Sequence, residues 1–237
     1  MTDHVPHIVI GGGISGLGAA HFAVRLGIET LVIERSGRVG GTLNTHRFGA
    51  CESYWTEAGG HTCYNSYGNL LSILDDLGLT ARITPKERVP FRLWRGGKRR
   101  PIYSAIHPIE LVTSLPRLVR SSREGKGAGL GHTNYRDLFG PAFQAVICQA
   151  ADEFPAELLF RKKPRRKGLP TSFTLPQGLS EIPLAIAGQE ALSVRLNDQV
   201  VEVREVGTGF QIELANSGAV TCDSLTLAVG PDAAARV

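Results

Sequence analysis

With 237 residues, of which 42% are hydrophobic and 20% charged, the chain can bury a core as one or two globular domains, which excludes intrinsic disorder and a collagen-like repeat. Its formal charge of +4 suits an anionic ligand or an anionic membrane surface but is too small to imply a nucleic-acid partner. Cys51, Cys63, Cys148 and Cys222 form no CxxC pair, so no metal site is expected, and buried thiols in a reduced, cytoplasmic compartment are the plain reading.

The first predicted element lies in HIVIGGGISGLGAA, from His7 to Ala20. The leader MTDHVPH has an Asp and no Lys or Arg, and five glycines interrupt positions 11 to 18, so neither a signal peptide nor a spanning helix is expected. A short β-branched run, His7 to Ile10, is followed by glycines, after which Leu17, Ala20, Ala23 and Leu26 recur at helical spacing. The run Glu29 to Glu34 then has strand composition and ends in an acid. The pattern is a βαβ unit.

Gly11, Gly13 and Gly16 satisfy G-x-G-x-x-G inside that unit. Gly11 would allow the tight turn, Gly13 a close approach of backbone to a pyrophosphate, and Gly16 close packing of helix on strand. The helix start at Ile14 and Ser15 would present free N–H groups to phosphates, and Glu34 is placed to accept hydrogen bonds from an adenosine ribose. A dinucleotide site follows. The next loop, Arg35-Ser36-Gly37-Arg38-Val39-Gly40-Gly41-Thr42, offers Arg38 as a cation and Gly40-Gly41 as a second close backbone approach. Arg35 could instead meet the 2′-phosphate of a nicotinamide cofactor, although Glu34 would repel it.

GGGISG followed by Glu34 and R-x-G-G resembles the FAD-binding signature of the flavin amine oxidase superfamily, which includes protoporphyrinogen oxidases and carotenoid desaturases. The resemblance implies an α/β fold: a Rossmann-like FAD/NAD(P)-binding domain with an inserted, mainly helical substrate region. It implies FAD as cofactor, with Gly59, Gly60 and His61 of EAGGHT beside the flavin and the backbone at Val200 in LNDQV meeting the adenine. The strand Leu225 to Val229 is similar to the one that returns to the cofactor sheet. Thr42 stands where members often carry a basic residue, while Thr45 fits a later family Thr.

On this basis residues 1–82 and 177–237 are expected to form the FAD domain and residues 83–176 the insertion, with helices over Pro108 to Ser121 and Tyr135 to Ala151. The basic run Arg161 to Lys167 reads as a solvated loop or as a site for an anionic substrate or acidic head groups. EAGGHTCYNSYGNLL and the segment Thr171 to Leu179 look most like protoporphyrinogen-oxidase-type members, which implies oxidation of a hydrophobic or anionic small molecule by bound flavin. Carotenoid-desaturase-like, amine-oxidase-like and non-catalytic FAD-binding readings stay open, as does the oligomeric state. No catalytic side chain announces itself, because in a flavoprotein the cofactor carries the redox step. A peripheral contact on the inner face of a membrane is compatible with the basic region, and the sequence is expected to lack the family's C-terminal closing segment.

Overall fold

A computed structural model describes residues 3–49, 51–87, 89–90, 92–114, 116, 131–147, 161 and 163–236. The chain divides into two compact units, one formed by Met1–Lys86 with Arg165–Val237 and the other by Glu87–Pro164.

The first unit is built on strand β1 (Asp3–Ile10), helix α1 (Ile14–Arg25) and strand β2 (Thr30–Ile33). β1 and β2 are parallel, with Ile10 opposite Ile33, so the connection has to cross over through α1. Both faces of this part of the sheet are covered, which is why Ile8, Val9, Ile10 and Leu31, Val32, Ile33 are apolar without alternation and all buried. Two hairpin strands follow, β3 (Thr45–Phe48) and β4 (Cys51–Glu57), then β5 (Cys63–Tyr64) and helix α2 (Gly68–Asp76). Short strand β6 (Thr84–Pro85) ends the first half. In the other unit β7 (Arg92–Arg95) and β8 (Lys98–Pro101) form a hairpin around Gly96 and Gly97. Both glycines have positive φ, 58° and 72°, as a two-residue turn matched to strand twist requires.

After the insertion come β9 (Ser172–Thr174), the helix Glu181–Ala187, β10 (Leu192–Arg195) and the meander β11 (Val200–Val206), β12 (Gly209–Leu214), β13 (Gly218–Leu227). The main sheet has the order β10-β2-β1-β13-β12-β11. β10, β2, β1 and β13 run parallel, and β12 and β11 complete the sheet antiparallel. Val9 and Val32 join Leu17 and Ala20 of α1, Leu71 and Leu74 of α2, and Ile182 and Ile186 in one core. Ile8, Ile10, Leu31 and Ile33 point the other way and pack with Val200, Ile212, Leu214 and Val220. The period-2 alternation of a strand therefore feeds two cores from one run of residues.

The units redraw the expected boundaries. Residues 165–176 belong with the first unit because β9 lies between β5 and β6 in a three-stranded sheet. Arg166 pairs with Asp75 at 2.5 Å, and the Asn65 amide donates to the carbonyls of Arg166 and Leu169. Arg165 also donates to Asn65 Oδ1, so part of the basic run ties the unit together while Arg161, Lys163 and Lys167 stay exposed. The insertion, expected to be mainly helical, begins with the β7–β8 hairpin. Its first expected helix is seen over 108–114 and at 116, with 115 and 117–121 outside the described residues. The second opens as a π-turn over Tyr135–Phe139 and continues as the α-helix Gly140–Ile147, with 148–151 outside the described residues.

Candidate cofactor site

The site is built where β1 ends and α1 begins. Gly11 has φ of 107°, donates from its N–H to Ile33 at 2.9 Å, and a Cβ there would sit 2.6 Å from the Ala228 carbonyl oxygen. A Cβ at Gly16 would overlap the Gly11 carbonyl oxygen, so this glycine lets α1 close onto the turn. Gly13 is different: its φ of −71° and ψ of 173° suit any residue, and a Cβ there would meet nothing within 4 Å. Neither backbone strain nor packing demands a glycine at 13, and the space beside it at the start of α1 is open. No side chain caps that helix and no acidic residue lies in its first turn, so the N–H groups of Ile14, Ser15 and Gly16, which lack helical acceptors, and the positive dipole end are available to an anion.

Glu34 follows β2 and its carboxylate is held on both oxygens. Gly12 N donates to Oε2 at 2.7 Å, while Ser36 N and Ser36 Oγ donate to Oε1 at 2.9 and 2.8 Å. The segment expected to meet adenine is tied to the same loop, because Asp198 N donates to the Glu34 carbonyl at 3.2 Å and Asn197 N to the Ser36 carbonyl at 3.1 Å. Asn197 has φ of 56°, a conformation an Asn tolerates, and Val200 begins β11 with its side chain buried in the second core. Asp198 is buried; Asn216 N donates to Oδ1, and Oδ2 has no hydrogen-bond partner among the described residues.

The R-x-G-G loop is fastened to the first glycine turn. Gly40 N donates to the Gly12 carbonyl at 2.8 Å, Gly40 bridges Gly13, and a Cβ at Gly41 would lie 3.1 Å from Gly13 Cα. Arg38, expected as a phosphate contact, donates to the carbonyls of Val39 and Gly41 at 3.3 and 2.9 Å and so shapes its own loop, and Arg35 is exposed. Thr42 is exposed, but its carbonyl accepts from Gly60 N at 3.0 Å, and a Cβ at Gly59 would overlap that carbonyl oxygen. His61 is exposed, its Nδ1 3.3 Å from the Gly59 carbonyl, while Lys86 Nζ donates to the His61 carbonyl and to Thr62 Oγ1. Cys63 lies in the core, and burial, helped by the negative charge of Glu57, pushes its thiol up to about 11. Such a thiol is inert as a nucleophile.

Gly11, Gly13, Ile14, Ser15, Gly16, Glu34, Gly40, Gly41 and the 197–200 segment thus sit at one end of the parallel sheet, joined by backbone hydrogen bonds. Sequence reasoning missed Ser36. Ser36 could have been sought two residues after the acid, where its hydroxyl can reach back. Among the described residues no group of His, Cys, Asp or Glu could hold a metal, and no helix is long and apolar enough to cross a membrane.

An α-helix N-terminus facing an open glycine cradle, with an acid at the end of the next strand, defines a dinucleotide-binding protein of the Rossmann type. Residues 14–138 match the family of flavin containing amine oxidoreductases, and the chain belongs to that family. It is 37% identical over 110 residues to protoporphyrinogen oxidase 2, chloroplastic/mitochondrial, of Arabidopsis thaliana, a match that takes in 45% of this chain and 20% of that protein. It is also 37% identical over 81 residues to the flavin-dependent L-tryptophan oxidase RebO of Lentzea aerocolonigenes, covering 34% of this chain and 17% of that protein. Cyclohexylamine oxidase from Brevibacterium oxydans IH-35A shares the fold with a TM-score of 0.72 at 19% identity, over 98% of this chain and 59% of that one.

Proposed function

We propose that the chain is the FAD-binding part of an FAD-dependent oxidoreductase of protoporphyrinogen-oxidase type, acting on a hydrophobic or anionic small molecule. The observation that carries the cofactor assignment is Gly13, a glycine that neither its backbone nor its neighbours require, placed at the uncapped start of α1. The N–H groups of Ile14, Ser15 and Gly16 would hold the pyrophosphate, the Glu34 carboxylate would accept from the ribose hydroxyls, and the backbone at Val200 would meet the adenine. Gly41, Thr42, Gly59, Gly60 and His61 would border the flavin end, with Arg38 keeping the R-x-G-G loop in shape. When bound, the isoalloxazine supplies the redox chemistry, and the protein supplies orientation and exclusion of water.

The similarity to a protoporphyrinogen oxidase supports a tetrapyrrole-like substrate, and the basic region that includes Arg161, Lys163 and Lys167 suits its carboxylates or an anionic membrane surface. Free, buried Cys63 and Cys222 suit a reduced, cytoplasmic setting. Similarity to an L-tryptophan oxidase favours a second reading, an amine substrate. Purified protein should carry flavin absorbance, and Gly13→Val should abolish it while keeping a cooperative thermal unfolding transition close to that of flavin-free wild type, because a Cβ at this position meets no protein atom within 4 Å. A Gly13→Val protein that keeps flavin would refute the cradle. Anaerobic mixing of flavin-loaded protein with a reduced porphyrinogen or with amines then assigns the substrate by which one bleaches the flavin.

A further inference from the structure

Glu57, the last residue of β4, fastens three separate segments. Its Oε1 accepts from Leu179 N at 2.7 Å and from Thr45 Oγ1 at 3.1 Å, and its Oε2 lies 3.0 Å from the same hydroxyl. Thr45 N donates to Ser180 Oγ at 2.7 Å and Ser180 N donates back to Thr45 Oγ1 at 3.0 Å. Gly178 brings the turn so close that a Cβ there would overlap the Thr45 side chain. The result is a reciprocal knot of charge-assisted and neutral hydrogen bonds joining β3, β4 and the turn before the helix Glu181–Ala187.

The knot stands at the far end of a strip whose near end is the cradle. Gly41 lies against Gly13, the chain then runs through Thr42, Leu43 and Asn44 to Thr45, and the strip is doubled by Ala58 N donating to Asn44 O at 2.8 Å and Gly60 N to Thr42 O at 3.0 Å. None of the bonds of the strip itself involves Glu34, Ser36 or the 197–200 segment; the two sides connect through the cradle turn, where Gly40 N donates to Gly12 O and Gly12 N to Glu34 Oε2, and through Ser36 Oγ donating to the Arg38 carbonyl. The knot therefore bears directly on residues 41–45 and 58–60, and on the adenosine side by way of Gly12 and Arg38.

Building on the FAD assignment proposed above, we infer that Glu57 is a positioning residue for the flavin end of the cofactor, acting through Thr45 on residues 41–45 and 58–60. Removing its negative charge leaves Leu179 N and the Thr45 hydroxyl with a weaker acceptor, so the strip relaxes away from the cradle while the pyrophosphate and adenosine contacts persist. A residue that only supported the fold would weaken all ligands of the site alike.

The test compares FAD with ADP by calorimetric titration of the whole chain. Glu57→Gln, which keeps the shape, should raise the Kd for FAD about tenfold or more and leave that for ADP within about twofold. Thr45→Val, which keeps every charge, should act in the same direction, and the double variant should be little worse than the more damaging single change because both act on the same bond, which Glu57→Gln weakens and Thr45→Val removes. Thr45→Val also decides the matter should Glu57→Gln fail to fold. Equal losses for FAD and ADP, or no loss of FAD in either variant, overturn the positioning role alone. Wild-type protein that binds ADP but no FAD, or neither, overturns the cofactor reading and this inference with it.

Discussion

The dinucleotide-binding unit and the unit Glu87–Pro164 are held together by different physics. In the first, Ile8, Val9, Leu17, Leu74, Phe173, Leu175, Leu179, Ile182 and Ile186 are removed from water, and hydrogen bonding mainly completes strands and turns around that core. In the second, Ala105 and Leu138 are the buried hydrophobic residues among those described, and polar groups carry the organisation. Glu110 accepts from Thr133 N and Asn134 N at 2.8 and 3.0 Å, Asn134 clasps His107 through both its backbone groups, and Asp137 pairs with Arg95 and Arg136. Apolar burial is non-directional and suits a rigid platform for a cofactor, whereas a clasp of hydrogen bonds orders a segment through a few directed contacts.

That contrast can be broken most sharply at Phe173, which is fully buried between β5 and β6. Phe173→Ala should cost about 3–5 kcal/mol, read as a lower midpoint in urea unfolding followed by circular dichroism. A loss under about 1 kcal/mol would show that this core is not the source of the unit's stability. In the other unit the corresponding lesion is polar. Asn134→Ala should cost about 0.5–1.5 kcal/mol by leaving the His107 N–H without its acceptor, while the His107 carbonyl keeps Leu111 N, with hydrogen exchange accelerating at residue 107.

Acid should produce the smallest effect. The Arg136 guanidinium, aided by Arg95, lowers the Asp137 carboxyl from its ordinary 3.8 to about 2. A folded-state value below the unfolded one contributes stability above the ordinary value, and that contribution is lost as pH falls from about 4 through about 2. Amide resonances around Arg95 and Arg136 should therefore shift in that window, and Asp137→Asn should abolish the step. The Glu110 carboxyl is likewise lowered, first by the Thr133 N–H, so the helical turn at His132–Asn134 should loosen under acid as well.

The βαβ unit was legible in the sequence because every signal for it is local: β-branched residues before Gly11, helical spacing after Gly16, an acid at the end of β2. The domain boundary near residue 165 was not legible, since β9 is claimed by β5 and β6 from the far side of the insertion, and Arg166 by Asp75. Arg38 was readable as a cation next to a glycine pair, but not as a donor to its own loop, because the turn of the chain between Val39 and Gly41 decides which carbonyls it meets.

What the sequence by itself determined is the cradle: Gly11, Gly13 and Gly16 at fixed offsets, a helix start with free N–H groups, and Glu34 in position, all set by backbone geometry within one stretch of chain. Only the tertiary structure decided what surrounds it. It showed that Gly13 is unconstrained by its protein neighbours while Gly11 and Gly16 are bound to theirs, a distinction that depends on Ala228 across the sheet for the one and on the closure of α1 onto the turn for the other. It likewise turned Glu57 from one acid in EAGGHT into the centre of a knot, because its acceptor capacity is used by Leu179, which lies 122 positions away along the chain. Such partners are chosen by packing and not by local propensity.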